Sequence, residues 1–131
     1  MDENGILEWS FTRKYDVGDG PWPSEDEAAI EYDTENDRIT VTGVSVDGDT
    51  GWEGCVRRVR YHPGEDELHV DVGAVRTGDE LVHGVIQRIH YEVAVRVASR
   101  LPARTRLRHL THVDTVQFST TAERTEESDR R

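Results

Sequence analysis

Apolar residues recur at every second position through most of this chain, and helix-period patterns are scarce. Successive side chains of a strand point to opposite faces, so this pattern buries one face of an extended segment and wets the other. Leu7, Trp9, Phe11, Arg13, Tyr15 and Val17 set out a first strand. Pro21 and Pro23 keep the Gly/Pro-rich acidic stretch 18–27 out of regular structure. Ala28, Ile30 and Tyr32 share one face of a short second strand, and the β-branched run "RITVTGVSV" (38–46) makes a third. Segments 55–61 and 67–75 form a pair across a turn at Pro63-Gly64.

The longest stripe, 82–98, holds Val85, Ile89, Tyr91, Val93, Val95 and Val97 on one parity, interrupted by Gln87. Arg88, His90, Glu92 and Arg96 take the other parity, as expected of a sheet with one wet face. Segments 104–110 and 112–118 supply the last strands, and the polar stretch 119–131 is predicted to be a disordered tail. Seven or eight short strands without a crossover helix predict one all-β domain over residues 1–118. The expected architecture is an antiparallel β-sandwich, immunoglobulin-like or a related Greek key, with a small barrel as the alternative.

One pattern occurs twice. "YDTENDRITV" (32–41) and "YHPGEDELHV" (61–70) share Tyr, Asp, a branched aliphatic and Val at equal offsets. Pairing Tyr32 with Ile39, and Tyr61 with Val70, puts the apolar residues of each copy on one side of a hairpin, and a one-residue slip would break both. The polar connectors between the arms are turn formers. The repeat is thus a hairpin rule before it is a binding motif.

Charge bounds the environment. The 131 residues carry a formal net charge of −11, and Lys14 is the sole lysine among 16 basic side chains. An acid-rich, lysine-poor chain suits molar salt, where screening removes its self-repulsion, so a halophilic origin is expected. Acidic groups crowd residues 1–53, whereas 54–118 carry a small basic excess. Cys55 is the only cysteine and reads as a small packing residue. No apolar run is long enough to span a bilayer, and the acidic start "MDENGILEWSF" lacks the order of a secretory signal. A cytoplasmic protein is the expectation.

"RITVTGVSV", Cys55, "VRYHPGEDELHVDVG", "IQRIHYEVAVRV" and "LPARTRLRH" follow one another over residues 38–109. In that order they resemble small haloarchaeal proteins and lipoproteins of unknown function. Those chains run I-x-V-x-G, a Cys, Y-x4-D-x-L-x-V-x-V, a Y-E strand and L-P-x4-V-x-H. The resemblance implies a β-sandwich and supplies no catalytic residue. This chain departs from it in its arginine-rich strands, in the absence of a lipobox, and in Leu107 where Val is usual.

Candidate chemistry is sparse. His62 and His69 fall on the wet side of the second hairpin and are the candidate metal ligands, with Glu65, Asp66 or Asp71 needed to complete a site. His109 shares the parity of Leu107 and is expected to point inward, bonded to backbone; "HLTH" (109–112) on a strand cannot chelate. "DGDTG" (47–51) fails the calcium-loop pattern at Gly51, Trp52 and Arg58 and reads as a tight turn. No nucleophile elbow, phosphate-binding glycine loop or zincin motif occurs. Arg88, Arg96, Arg104, Arg106 and Arg108 form a candidate basic surface, for phosphates or for the carboxylates of the first half. The expected function is a non-enzymatic interaction or assembly module without cofactor, working through a protein partner or self-association. A His-based metal protein or metal-dependent enzyme is the alternative, and a nucleic-acid binder the third reading.

Overall fold

The computed structural model describes residues 6–17, 25–46, 52–76, 87–98, 101–111 and 115–124. Its strands are β1 (Ile6–Val17), β2 (Glu27–Asp33), β3 (Arg38–Val46), β4 (Trp52–His62), β5 (Glu67–Arg76), β6 (Gln87–Val97), β7 (Arg104–Leu110) and β8 (Val116–Glu123). They make two four-stranded sheets, ordered β1-β6-β3-β2 and β4-β5-β7-β8. Among the described residues there is no helix and no closed barrel, so none could cross a membrane as an apolar helix. The expected turn at 47–51, the start of the 82–98 stripe and most of 18–27 lie outside the described residues.

The sheets pack through the predicted parity. Ile39, Val41, Val93 and Val95 from the first sheet, and Leu68, Val70 and Leu107 from the second, are fully buried. Each such side chain is worth about 1.5–3 kcal/mol of apolar transfer. This interdigitated layer is what holds the two sheets face to face.

Both copies of the repeat close as equivalent hairpins. Tyr32 opposes Ile39, and Tyr61 opposes Leu68, not Val70 as the sequence register had it. Each four-residue connector ends on an aspartate, Asp37 or Asp66, in the left-handed region at φ 52°. Asp is one of the few non-glycine residues that visits this region readily. That requirement explains the shared Asp and forces the two registers to match. The two aspartate carbonyls also cap neighbouring strands: Asp37 accepts from Val97 N–H at 3.0 Å, and Asp66 from Ala103 N–H at 3.0 Å.

Two expectations need correction. The sheets are not wholly antiparallel, because β5 and β7 pair in parallel. After β5 the chain crosses to the first sheet, forms β6 and returns, so β7 arrives running the same way as β5. Residues 119–123, expected in a disordered tail, belong instead to β8, which continues to Glu123. Its polar residues pair along β7, and the Tyr32 hydroxyl donates to Ala122 O at 3.2 Å. That carbonyl can only accept, so the buried Thr105 hydroxyl, 2.8 Å away, donates to Tyr32 in turn. Ladder and cross-sheet hydrogen bonds, with Phe118 against the His109 ring at 4.9 Å, hold a strand that has few apolar anchors.

Candidate functional site: the arginine face of the second sheet

Leu68, Val70 and Val72 point inward, so Glu67, His69 and Asp71 stand on the outer face of β5. The ladders on either side extend each into a row. Glu67 lies between His62 on β4 and Arg104 on β7, His69 between Arg60 and Arg106, and Asp71 between Arg58 and Arg108. Residues two apart on a strand are about 6.7 Å apart, and β4 and β7 are about 9.5 Å apart across β5. The result is a lattice of guanidiniums with an acidic and imidazole column down its centre. His69 and Asp71 are buried although they face outward, because the long arginine side chains on both sides lie over them.

Asp71 is gripped most tightly. Arg108 donates to it through Nε at 3.0 Å and Nη2 at 2.8 Å, the bidentate fork that gives Arg–carboxylate pairs their strength. The bond to Asp71 holds the Arg108 guanidinium above its ordinary pKa. Arg58 comes only to 3.9 Å, beyond hydrogen-bond length. At the next row Arg106 Nη2 lies 3.2 Å from His69 Nδ1, and Glu67 Oε1 lies 2.8 Å from His69 Nε2. A guanidinium can only donate, so Nδ1 is the acceptor and the ring proton sits on Nε2, given to Glu67. That bond, with the Arg104 and Arg106 charges behind it, holds the Glu67 carboxyl below its ordinary value.

The expected metal ligands are partly brought together. The His62 and His69 rings lie 4.1 Å apart, and Glu65, Glu67 and His69 place ligand atoms within 4.8 Å of one another. Asp71 turns to the arginines instead. The tautomer set by Arg106 works against a metal here. A cation at Nε2 needs the proton moved to Nδ1, where it would point at a guanidinium that has only protons to offer.

The expected basic surface is divided. Arg104, Arg106 and Arg108 belong to the arginine face, but Arg88 and Arg96 lie on β6, on the outside of the opposite sheet. Arg88 is buried and Arg96 pairs with Glu8 at 3.0 Å. Sequence proximity suggested one surface because the change of sheet between β6 and β7 leaves no mark on residue type. Arg58 and Arg60 were missed, although their alternation in "CVRRVRY" placed them on the wet parity of β4.

A second polar cluster fills the interior between the sheets. His109 is fully buried, with Nε2 2.5 Å from the Tyr91 hydroxyl and Nδ1 2.9 Å from Asp26 Oδ2. The inward orientation agrees with its parity, but its partners are side chains and not backbone. Burial, with the Asp26 charge adding to it, pushes the Tyr91 hydroxyl far above the ordinary tyrosine range, so it remains a donor. Nε2 therefore accepts, and Nδ1–H donates to Asp26. Burial alone would raise the Asp26 carboxyl, but hydrogen bonds from His109, Val46 N–H and Gln117 outweigh it and hold the group below its ordinary value. The Asp–His–hydroxyl order is that of a nucleophile relay, yet the hydroxyl is hardened against ionisation and the imidazole has no access to solvent. The cluster is a hydrogen-bonded staple joining β6 and the approach to β2 with β7 and β8.

No protein-family model matches the chain, and no curated protein or solved structure matches it either.

Proposed function

We propose that the protein is a non-catalytic interaction module that docks an acidic, extended segment of a protein partner on the outer face of β4, β5 and β7. The observation that carries this reading is the lattice itself: Arg58, Arg60, Arg104, Arg106 and Arg108 on one face, in a chain of net charge −11. Among the described residues Arg60 and Arg106 form no ion pair, so the lattice keeps charge that its own carboxylates do not neutralise. The spacing of Arg104, Arg106 and Arg108 equals the same-side repeat of any extended chain, about 6.7 Å. Carboxylates at alternate positions of a partner strand therefore meet successive guanidiniums. Arginine suits this role because its planar fork grips a carboxylate bidentately and is weakly hydrated.

A polyanionic nucleic acid suits the face less well. The negative charge of the whole chain opposes its approach, and Tyr61, which follows Arg60 on β4, packs inward, where it cannot stack a base. The module is expected in molar salt, where long-range steering is lost and close bidentate contact is the attraction that survives.

The test is titration of the full chain with an unstructured peptide carrying Asp or Glu at alternate positions, followed by amide chemical shifts and calorimetry. Shifts confined to β4, β5 and β7, lost in an Arg60→Glu/Arg106→Glu double variant, are expected. Preferential binding of single-stranded DNA or RNA at equal ionic strength would overturn the reading, as would peptide binding that the double variant leaves intact.

A further inference from the structure

The outer face of the first sheet carries its own imbalance of charge. Ile39, Val41, Val93 and Val95 are buried between the sheets, so Arg38 on β3 and Arg96 on β6 share the outer face, where the ladder sets them directly opposite each other. Like charges in that position repel, since the Cβ atoms of an opposed pair are about 5 Å apart. The row ends on a carboxylate at each side: Glu8 opposes Arg96 from β1, and Asp33 opposes Arg38 from β2. Glu8 takes up its arginine, with Oε2 accepting from Arg96 Nη1 at 3.0 Å. Asp33 does not. Its Oδ1 accepts from Glu35 N–H at 3.2 Å and Asn36 N–H at 3.3 Å, and its Oδ2 from Asn36 Nδ2 at 2.9 Å. The hairpin turn holds that carboxylate, so Arg38 acts on it only through space. Arg38 Nε is buried and donates to no group among the described residues.

We infer that the depression beside Arg38 is a binding site for the carboxylate of a small organic acid. Its volume is about 420 Å³, and Glu8, Trp9, Ser10, Arg38, Ala94 and Arg96 line it. That volume falls in the range of small-molecule sites, about 300–1,000 Å³. Two guanidiniums against the one lining carboxylate of Glu8 leave a single positive charge, which a monoanion balances. A buried donor without an acceptor costs about 1–3 kcal/mol, and an arriving carboxylate supplies the acceptor that Asp33 withholds. The planar guanidinium fork matches a carboxylate in shape as well as in charge. Room comes from the neighbouring row, where Ala94 lies between Ser10 and Thr40 and all three side chains are short. The Ser10 hydroxyl stands about 6.7 Å along the sheet from the arginine row, within reach of a second polar group on a short hydroxy acid. The site lies on the opposite sheet from the arginine lattice and does not rest on the reading of that lattice as a docking surface.

The experiment titrates the full chain, at one fixed ionic strength, with acetate, lactate and gluconate as carboxylates, glucose as an uncharged control and inorganic phosphate as a different anion. The readout is the set of amide shifts together with the indole N–H of Trp9, which is 47% exposed and lines the site. At least one carboxylate is expected to shift Ser10, Arg38, Ala94 and Arg96 together, while glucose leaves them in place. Arg38→Met keeps the side-chain stem and removes the charge, and should weaken that carboxylate about tenfold or more, the loss of one charge-assisted contact. Ala94→Leu gives an independent check. It keeps both arginines and points away from the core, so the fold tolerates it while the added bulk fills the depression, and binding should be lost. The Arg60→Glu/Arg106→Glu double variant, on the other sheet, should bind the acid as the native chain does. Shifts elsewhere on the surface, or silence from all three acids, overturn the inference. So does phosphate binding as tightly as the best carboxylate, which is the behaviour of charge without a shaped site. Undiminished binding in both Arg38→Met and Ala94→Leu places the acid somewhere else and overturns it too.

Discussion

Replacing Tyr91 with Phe isolates the buried staple in one atom. The hydroxyl is the donor to His109 Nε2 at 2.5 Å, and His109 is fully buried, so the substitution leaves a ring nitrogen without a donor and without water. An orphaned buried acceptor costs about 1–3 kcal/mol, whereas the net worth of an ordinary hydrogen bond is nearer 1. The lost oxygen adds little packing cost, because it sits over Gly43, where a Cβ would come within 2.5 Å of it. For a chain of this size the penalty corresponds to a fall in melting temperature of about 4–10 °C. Urea denaturation followed by fluorescence, with a thermal scan beside it, measures both. A double-mutant cycle gives the sharper reading. His109→Phe should cost less in the Tyr91→Phe background than in the native chain, with a coupling of about 1 kcal/mol or more. Strict additivity, or a Tyr91→Phe cost below about 0.5 kcal/mol, refutes the claim that hydroxyl and imidazole act as one unit.

Three further outcomes follow from the same geometry. The Asp26 carboxyl is held below its ordinary value of 3.8, so its contribution is complete above that pH and drains as pH falls through the lower folded-state value; acid titration of stability should therefore be steeper in the native chain than in Asp26→Asn. Asp37 carries φ 52° in its turn, so Asp37→Ala should lose about 1 kcal/mol in chemical denaturation while Asp37→Gly should not, and equal losses would remove backbone strain as the reason for the shared aspartate. Arg106→Met frees His69 Nδ1 to carry the proton, so zinc affinity measured by chelator competition should rise at the β4–β5 hairpin; native affinity as high as the variant's would contradict the tautomer lock.

Much of the fold was legible in residue order. The parity of Ile39, Val41, Val93, Val95 and Leu107 named the buried face, because a strand has only two faces and one of them must avoid water. The bounds of β3 and β7 coincide with their expected ranges, where β-branched and alternating residues meet clear turn signals. The inward turn of His109 was legible for the same reason, although its partners were not. The extent of β8 was not legible either, since ladder bonds and the Tyr32 hydroxyl hold residues that carry little apolar bulk.

Alternation, turn chemistry and the repeated Tyr-to-Val pattern by themselves determined an all-β chain with a known buried parity and equivalent hairpins. These are local properties, fixed by pleat and backbone sterics within a few residues. Only the tertiary structure decided which strands became neighbours. The parallel meeting of β5 and β7 set Arg104, Arg106 and Arg108 beside Glu67, His69 and Asp71, and sent Arg88 and Arg96 to the far side. Strand order depends on the crossings between sheets, which bury the same side chains whichever neighbour results, so the alternation that names the core is silent about the face that the arginines share.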